Sequence, residues 1–173
     1  MFVSPTKGKL TLPEVIHDII MYMCEDKRSH YRLIVGTDSQ VNAPLRVSHN
    51  HPGARSVDFV SALAVHRVGR GGRYFWRRAH REYSSPLALK ARMFTEANLS
   101  IELAIEFLAL LQQSLADALL EFEPQVEVHI DIGQNGPTRE IIKELVGLVR
   151  NNGFEARIKP EAYVASTVAD KHA

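Results

Sequence analysis

The sequence predicts a mixed α/β fold in which helices cover a β-sheet, and three observations predict it. Two apolar runs, Tyr31 to Asp38 and Val126 to Ile132, have the length and the β-branched content of buried strands. Between them, Val57 to Arg67 and Arg73 to Tyr83 are rich in β-branched and aromatic residues, flank Gly69-Arg70-Gly71-Gly72, and read as a β-hairpin. From Pro86 to about Phe122 one helical pattern runs without an interior Gly or Pro.

Taken in order, Thr11-Leu12-Pro13-Glu14 is a capping box with proline in the first turn. Val15, Ile19, Ile20 and Met23 follow at helical spacing, so a helix is expected over about 12–25. A polar turn, Glu25 to His30, leads into the first strand. Residues 42–56 hold Pro44, Pro52, Gly53, His49 and His51 and read as a loop; the two histidines invite a metal reading that no nearby Cys or third ligand completes. After the hairpin and the long helix, the strand at Val126 is closed by Gly133-Gln134-Asn135-Gly136-Pro137. Thr138 to Asn152 is a helix stopped by Gly153, Phe154 to Lys159 a short strand, and Ala162 onward a last helix. No repeat and no low-complexity linker interrupts this order, which points to a single domain over 1–173.

Composition narrows the class. The chain has 173 residues, 45% hydrophobic and 24% charged, and its 21 basic and 20 acidic side chains leave a net charge of +1. Such a balance excludes a disordered acidic or basic chain and proposes no partner, so any functional charge must be local. The single Cys24 lies in an apolar helical pattern and reads as a buried structural thiol. Met1 to Lys9 lack a signal-peptide core and no run approaches the ~20 apolar residues of a membrane span, so a cytoplasmic protein without membrane contact is expected.

Three acids stand where a structural role is hard to find, and helix geometry picks out a fourth. Asp38 and Asp131 end apolar strands, where an uncompensated carboxylate costs several kcal/mol, on the order of the desolvation of a charge. In the long helix, with ~100° per residue counted from Leu99, Leu103, Ala104, Phe107, Leu111 and Leu115 fall between about 40° and 160°. Glu102 and Glu106 fall near 300° and 340°, toward solvent, whereas Glu96 falls near 60°, inside the apolar stripe. A Glu there is an unpaired cost, the partner of a buried Arg, or a metal ligand. In the last helix Tyr163, Ser166 and Asp170 recur at i, i+3 and i+7, and Asp170 on its own is equally a solvated terminal residue.

Taken together, a strand Asp, a helix Glu, a second strand Asp and a C-terminal helix Asp around a β-β-β-α-β-α-β-α core resemble the ribonuclease H-like superfamily. Gly36-Thr37-Asp38-Ser39-Gln40, His129-Ile130-Asp131-Ile132-Gly133 with Asn135-Gly136 and Thr138, and Lys159-Pro160-Glu161-Ala162-Tyr163-Val164-Ala165-Ser166 with Ala169-Asp170-Lys171 are similar to the YkuK-like family of predicted ribonuclease H-related nucleases. That resemblance implies a ribonuclease H-like mixed sheet flanked by helices, here with an extra N-terminal helix. It assigns Asp38, Asp131 and Asp170 to an acidic cluster; Glu96 joins them by the helix-face argument. The implied chemistry is hydrolysis of a DNA, RNA or hybrid strand, with Mg²⁺ or Mn²⁺, two ions, bound by these four carboxylates. Nucleotide phosphohydrolase activity and nucleic-acid binding without turnover are the alternatives.

Nucleic-acid contact has its own local signal. Between His66 and Arg92 lie seven arginines and Lys90 against one acid, Glu82, with Tyr74, Phe75 and Trp76 interleaved. Arginine forks bind phosphates and exposed rings stack on unpaired bases, so Arg73, Arg77 and Arg78, with Lys159 and Lys171, are the expected contacts. The opposing expectation is that the rings pack on the core and the arginines form a solvated edge.

Overall fold

The computed structural model describes residues 1–42, 55–133 and 139–173. Seven strands form one mixed sheet in the order β2-β1-β5-β4-β3-β6-β7. β3 (Tyr31–Val41), β4 (Arg55–Arg67) and β5 (Gly71–Tyr83) are antiparallel neighbours, and β6 (Val126–Ile130) and β7 (Glu155–Arg157) add on parallel. β3 is an interior strand, flanked by antiparallel β4 and parallel β6.

Strand alternation gives the sheet two unlike faces. On one, Leu33, Val35, Leu63, Val65, Phe75, Val126 and Val128 pack under α1 (Leu12–Cys24), α2 (Leu89–Asp117) and α3 (Arg139–Asn151) in the main core. α1 starts at the Thr11 capping box that the sequence indicates, with Pro13 in its first turn. On the other, thinner face, Ile34, Val60, Ala62 and Ala64 meet Val164 and Ala169. Small residues permit this close approach: a Cβ added at Gly36 would lie 2.9 Å from the Ala165 nitrogen and 3.0 Å from its Cβ.

Several expectations shift. A hairpin of three-residue strands, β1 (Phe2–Ser4) and β2 (Gly8–Leu10), precedes α1 and joins the sheet through Val3 and Trp76; strands this short carry no readable periodicity. β3 runs three residues past Asp38, because β4 pairs with it as far as Val41 opposite Val57. α2 is shorter at both ends than the 86–122 pattern. It is also long and apolar enough, by length and composition alone, to cross a membrane. In the structure its Leu103, Ala104, Phe107, Leu111 and Leu115 lie in the core, while Glu102 and Glu106 are exposed. Cys24 is free and half-buried at the core margin. The histidines at 49 and 51, and the Asn135, Gly136 and Thr138 of the second motif, lie outside the described residues.

The last helix is not an α-helix. Val164–Ala169 winds as a π-helix and Asp170–His172 follows as a 3₁₀ turn. The wider winding stacks Val164 on Ala169 and ties the Asp170 N–H to the Ala165 carbonyl, so the spacing that matters is five residues and not the i, i+3, i+7 stripe.

Candidate functional site

Asp38 points to the thin face from the C-terminal half of β3. Thr37 pairs with Ile130, so Asp38 stands abreast of Asp131, the residue that leaves β6. Glu96 approaches from the opposite side: it lies on the sheet-facing stripe of α2 and is only 7% exposed. Its carboxylate accepts a 2.5 Å hydrogen bond from the Ser39 hydroxyl, whose residue faces α2 because it follows Asp38 in the strand. One turn on, Ser100 Oγ is 2.9 Å from the Glu96 carbonyl oxygen and 2.9 Å from Thr37 Oγ1, which is 2.9 Å from Ser61 Oγ. This hydroxyl ladder fixes the rotation of α2 against the sheet. Asp170 arrives on the turn that ends the π-helix.

The four carboxyl groups are electrostatic neighbours. Burial pushes Asp38 up to about 6; the Ser39 N–H counteracts, and the charges of Asp131 and Asp170 add to the rise. Burial pushes Glu96 up to about 7, with the Ser39 bond and Arg92 opposing and Asp38 and Asp131 reinforcing. Arg92, one turn earlier on α2, keeps its Nε 3.9 Å away, a weak counter-charge. Glu96 is buried and Asp38 half-buried, and each has neighbouring acids that add to its rise.

Among the described residues no three acidic, imidazole or thiol groups stand ready as a closed ligand set. The carboxylates are close, but some of their oxygens are engaged by the chain itself. Glu96 holds Ser39, and Lys159 Nζ sits 2.7 Å from Asp131 Oδ1. That ammonium is the charge partner of the buried Asp131 Oδ1. Asp131 and its neighbours, in turn, hold the Lys159 pKa above its ordinary value. A buried carboxylate oxygen that already draws a cationic ammonium, beside two acids of raised pKa, fits a hard divalent cation, and the all-oxygen donor set fits Mg²⁺ or Mn²⁺.

The basic residues divide. Arg73 and Arg77 project toward the helices, not toward Asp38. Arg73 spans Asp18 of α1 at 2.6 Å and Glu25, the residue after α1, at 2.8 Å, and Arg77 lies over the Phe2 ring, 3.6 Å from Glu106 of α2. Arg78, on the next residue, faces the thin side, 3.8 Å from Asp58, and donates to the His172 carbonyl oxygen. Strand alternation thus divides the three expected contacts: Arg73 and Arg77 are on the helix face, and Arg78 shares a face with Asp38. Lys159 borders the acids, and Lys171 is exposed next to Asp170.

Sequence reading missed a second polar group on the same face. Arg32 Nε donates to Glu127 Oε1 at 2.7 Å and its Nη2 to Oε2 at 2.5 Å, and Arg157 approaches the same carboxylate at 3.7 Å. Next along β6, His129 is 1% exposed, and burial lowers its pKa to about 4. The neutral ring accepts the Val164 N–H at Nδ1, 3.2 Å, and so anchors the start of the π-helix that carries Asp170. Tyr163 packs edge-on against His129 and reaches His66 Nδ1 at 3.0 Å. The alternation Glu127, His129, Asp131 was the available signal, since a strand places all three on one face. A cavity of about 390 Å³ lined by Leu115, Leu120, Phe122 and Pro124 lies at the far end of α2 and has no part in this chemistry.

An uncharacterised protein of Bacillus subtilis (strain 168), YkuK, is 30% identical over 176 residues that cover 99% of this chain and 95% of that protein. The chain has no match among solved structures. Residues 14–173 match the family described as Ribonuclease H-like, and the mixed sheet has the arrangement expected of it. The chain belongs to the Ribonuclease H-like family.

Proposed function

We propose that the protein is a metal-dependent nuclease that hydrolyses phosphodiester bonds of a nucleic acid, using Mg²⁺ or Mn²⁺ held by Asp38, Glu96, Asp131 and Asp170. The observation that supports this reading is the charge coupling of acids from separate elements: Asp131 and Asp170 act on Asp38, Asp38 and Asp131 act on Glu96, and burial together with these neighbours raises the pKa values of Asp38 and Glu96. Divalent ions at such a site supply charge for the phosphate oxygens and lower the pKa of water, and a pair of them serves both the entering and the leaving oxygen. The chain supplies the rest. Asp38 and Asp131, abreast on β3 and β6, are placed to be shared. Glu96 is aimed by Ser39, and Asp170 is carried to the group by a π-helix whose first N–H is held by His129. Lys159 is within reach of a non-bridging phosphate oxygen once a cation takes its place at Asp131.

Cleavage of DNA, RNA and hybrid strands with Mg²⁺, with Mn²⁺ and with chelator tests the proposal. Cleavage of at least one substrate that chelator abolishes is expected; no cleavage in any combination overturns it. The Lys159–Asp131 ion pair favours a second reading, a nucleic-acid-binding module in which lysine replaces the cation. Binding with no turnover in the same panel is its signature.

A further inference from the structure

Tyr74, Trp76 and Arg78 occupy alternate positions of β5 and look out on the thin face, the face of Asp38. Their strand neighbours on β4 are Ala64, Ala62 and Val60, small enough to leave a shelf beside the C-terminal turn. The chain's own His172 lies on that shelf. Its imidazole is stacked on the Trp76 indole with centroids 4.5 Å apart and planes 10° apart, and Tyr74 is tilted at 5.9 Å. The Tyr74 hydroxyl is 3.4 Å from His172 Nε2, at the ring edge. Arg78, 6.0 Å from the indole centre, donates to the His172 carbonyl oxygen.

The shelf thus already recognises a flat nitrogen heterocycle by its face, a polar atom on its edge, and an oxygen a few bonds away by a guanidinium. A nucleotide offers the same three features: base face, base edge and phosphate. Only an unpaired base offers its face, since pairing and stacking bury both sides in a duplex. Apart from the His172 carbonyl that a ligand oxygen would replace, Arg78 has a 3.8 Å contact to Asp58, and Asp58 is better held by His80 at 2.6 Å.

We propose that Tyr74, Trp76 and Arg78 form a stacking subsite for an unpaired nucleobase of single-stranded nucleic acid, which His172 occupies in the free protein. Because His172 lies two residues beyond Asp170, a base that displaces it also moves the turn carrying Asp170. This coupling rests on the nuclease reading; the subsite itself does not.

Trp76 is the chain's single tryptophan, so its emission reports the shelf directly. The full chain, in chelator, is titrated with a labelled twelve-nucleotide thymidine strand and with its blunt duplex, following both Trp76 emission and probe anisotropy. The single strand is expected to quench Trp76 and the duplex to bind without quenching. Trp76→Leu should weaken single-strand binding roughly tenfold while leaving duplex binding nearly unchanged, Trp76→Phe should keep most of it, and His172→Ala should tighten it severalfold. Far-ultraviolet circular dichroism establishes that each variant is folded. A strand that binds without altering Trp76 emission, equal losses for both probes, or weaker binding by His172→Ala overturns the proposal. Normal quenching in a protein without cleavage of any substrate in Mg²⁺ or Mn²⁺ would sink the nuclease reading and leave the subsite standing.

Discussion

Glu127 and Asp38 sit on adjacent strands and the same sheet face, separated by about four residues of strand, roughly 13 Å. Burial pushes both carboxyls up. At Glu127 the Arg32 fork, with His129 behind it, more than offsets burial and holds the pKa below its ordinary value. At Asp38, and at Glu96 across the strand, the neighbours are other acids, and the values rise to about 6 and about 7. The same chemical group is thus a completed ion pair in one place and a neighbour of other acids in the other. The first is what a fold requires to bury an acid; the second is what a fold tolerates where a cation is to bind.

The most demanding way to break this comparison is to remove one acid of each kind. Asp38→Asn and Glu96→Gln should each reduce metal-dependent cleavage by ~100-fold or more while leaving the metal-free melting temperature unchanged or higher, because a repelling charge is gone. Glu102→Gln, on the exposed side of α2, should stay within about twofold of the parent in the same assay. Cleavage lost with Glu102 and kept with Glu96 would mean that α2 presents its other face during turnover.

Glu127→Ala should do the reverse, since it strands Arg32 half-buried. Unfolding by denaturant should show a loss of about 3 kcal/mol, as when one partner of a buried pair is deleted. A variant as stable as the parent would remove the distinction between the two groups of acids.

The pH dependence of stability sharpens it further. Folded values of Asp38 and Glu96 lie above the ordinary 3.8 and 4.5, so their contribution is fully present below about pH 4 and is lost as pH rises through about 6 and about 7. His129 has the opposite sign: its lowered value makes its contribution present above about 6.5 and lost as pH falls toward about 4. Glu96→Gln isolates the first effect. Relative to the parent without metal, it should gain stability between about pH 5 and pH 8, by at most about 3 kcal/mol for a shift of this size. Thermal melts across that range should then show Mg²⁺ raising the melting temperature of the parent and not of the variant; a pH-independent difference would refute the assignment.

The smallest effect separates the arginines. Arg78→Ala should flatten the salt dependence of nucleic-acid binding by up to ~1 unit of log-log slope, whereas Arg73→Ala should lower stability through the loss of its Asp18 and Glu25 partners and leave the slope unchanged. Equal slopes for the two variants would restore the single basic track.

The sequence by itself determined what local periodicity can encode. The capping box starts α1, the glycine turn closes the β4–β5 hairpin, and the 100° spacing of apolar residues turns Glu96 inward and Glu102 outward, because neighbours along a helix or strand state which face is buried. The order of elements and the three motifs sufficed to identify the family. What only the tertiary structure decided depends on partners far apart in the chain. Arg32 and Glu127 are 95 residues apart and look like two unrelated surface charges until β3 and β6 pair. Arg73 and Arg78 belong to one basic run, yet a pleated strand sends them to opposite faces, and Asp18 on α1 claims the first. Asp170 joins Asp38 because packing of Ala165 against Gly36 goes with a π winding that an i, i+3, i+7 count does not anticipate. Local pattern thus set the direction in which side chains point, and strand pairing and close packing set which of them meet.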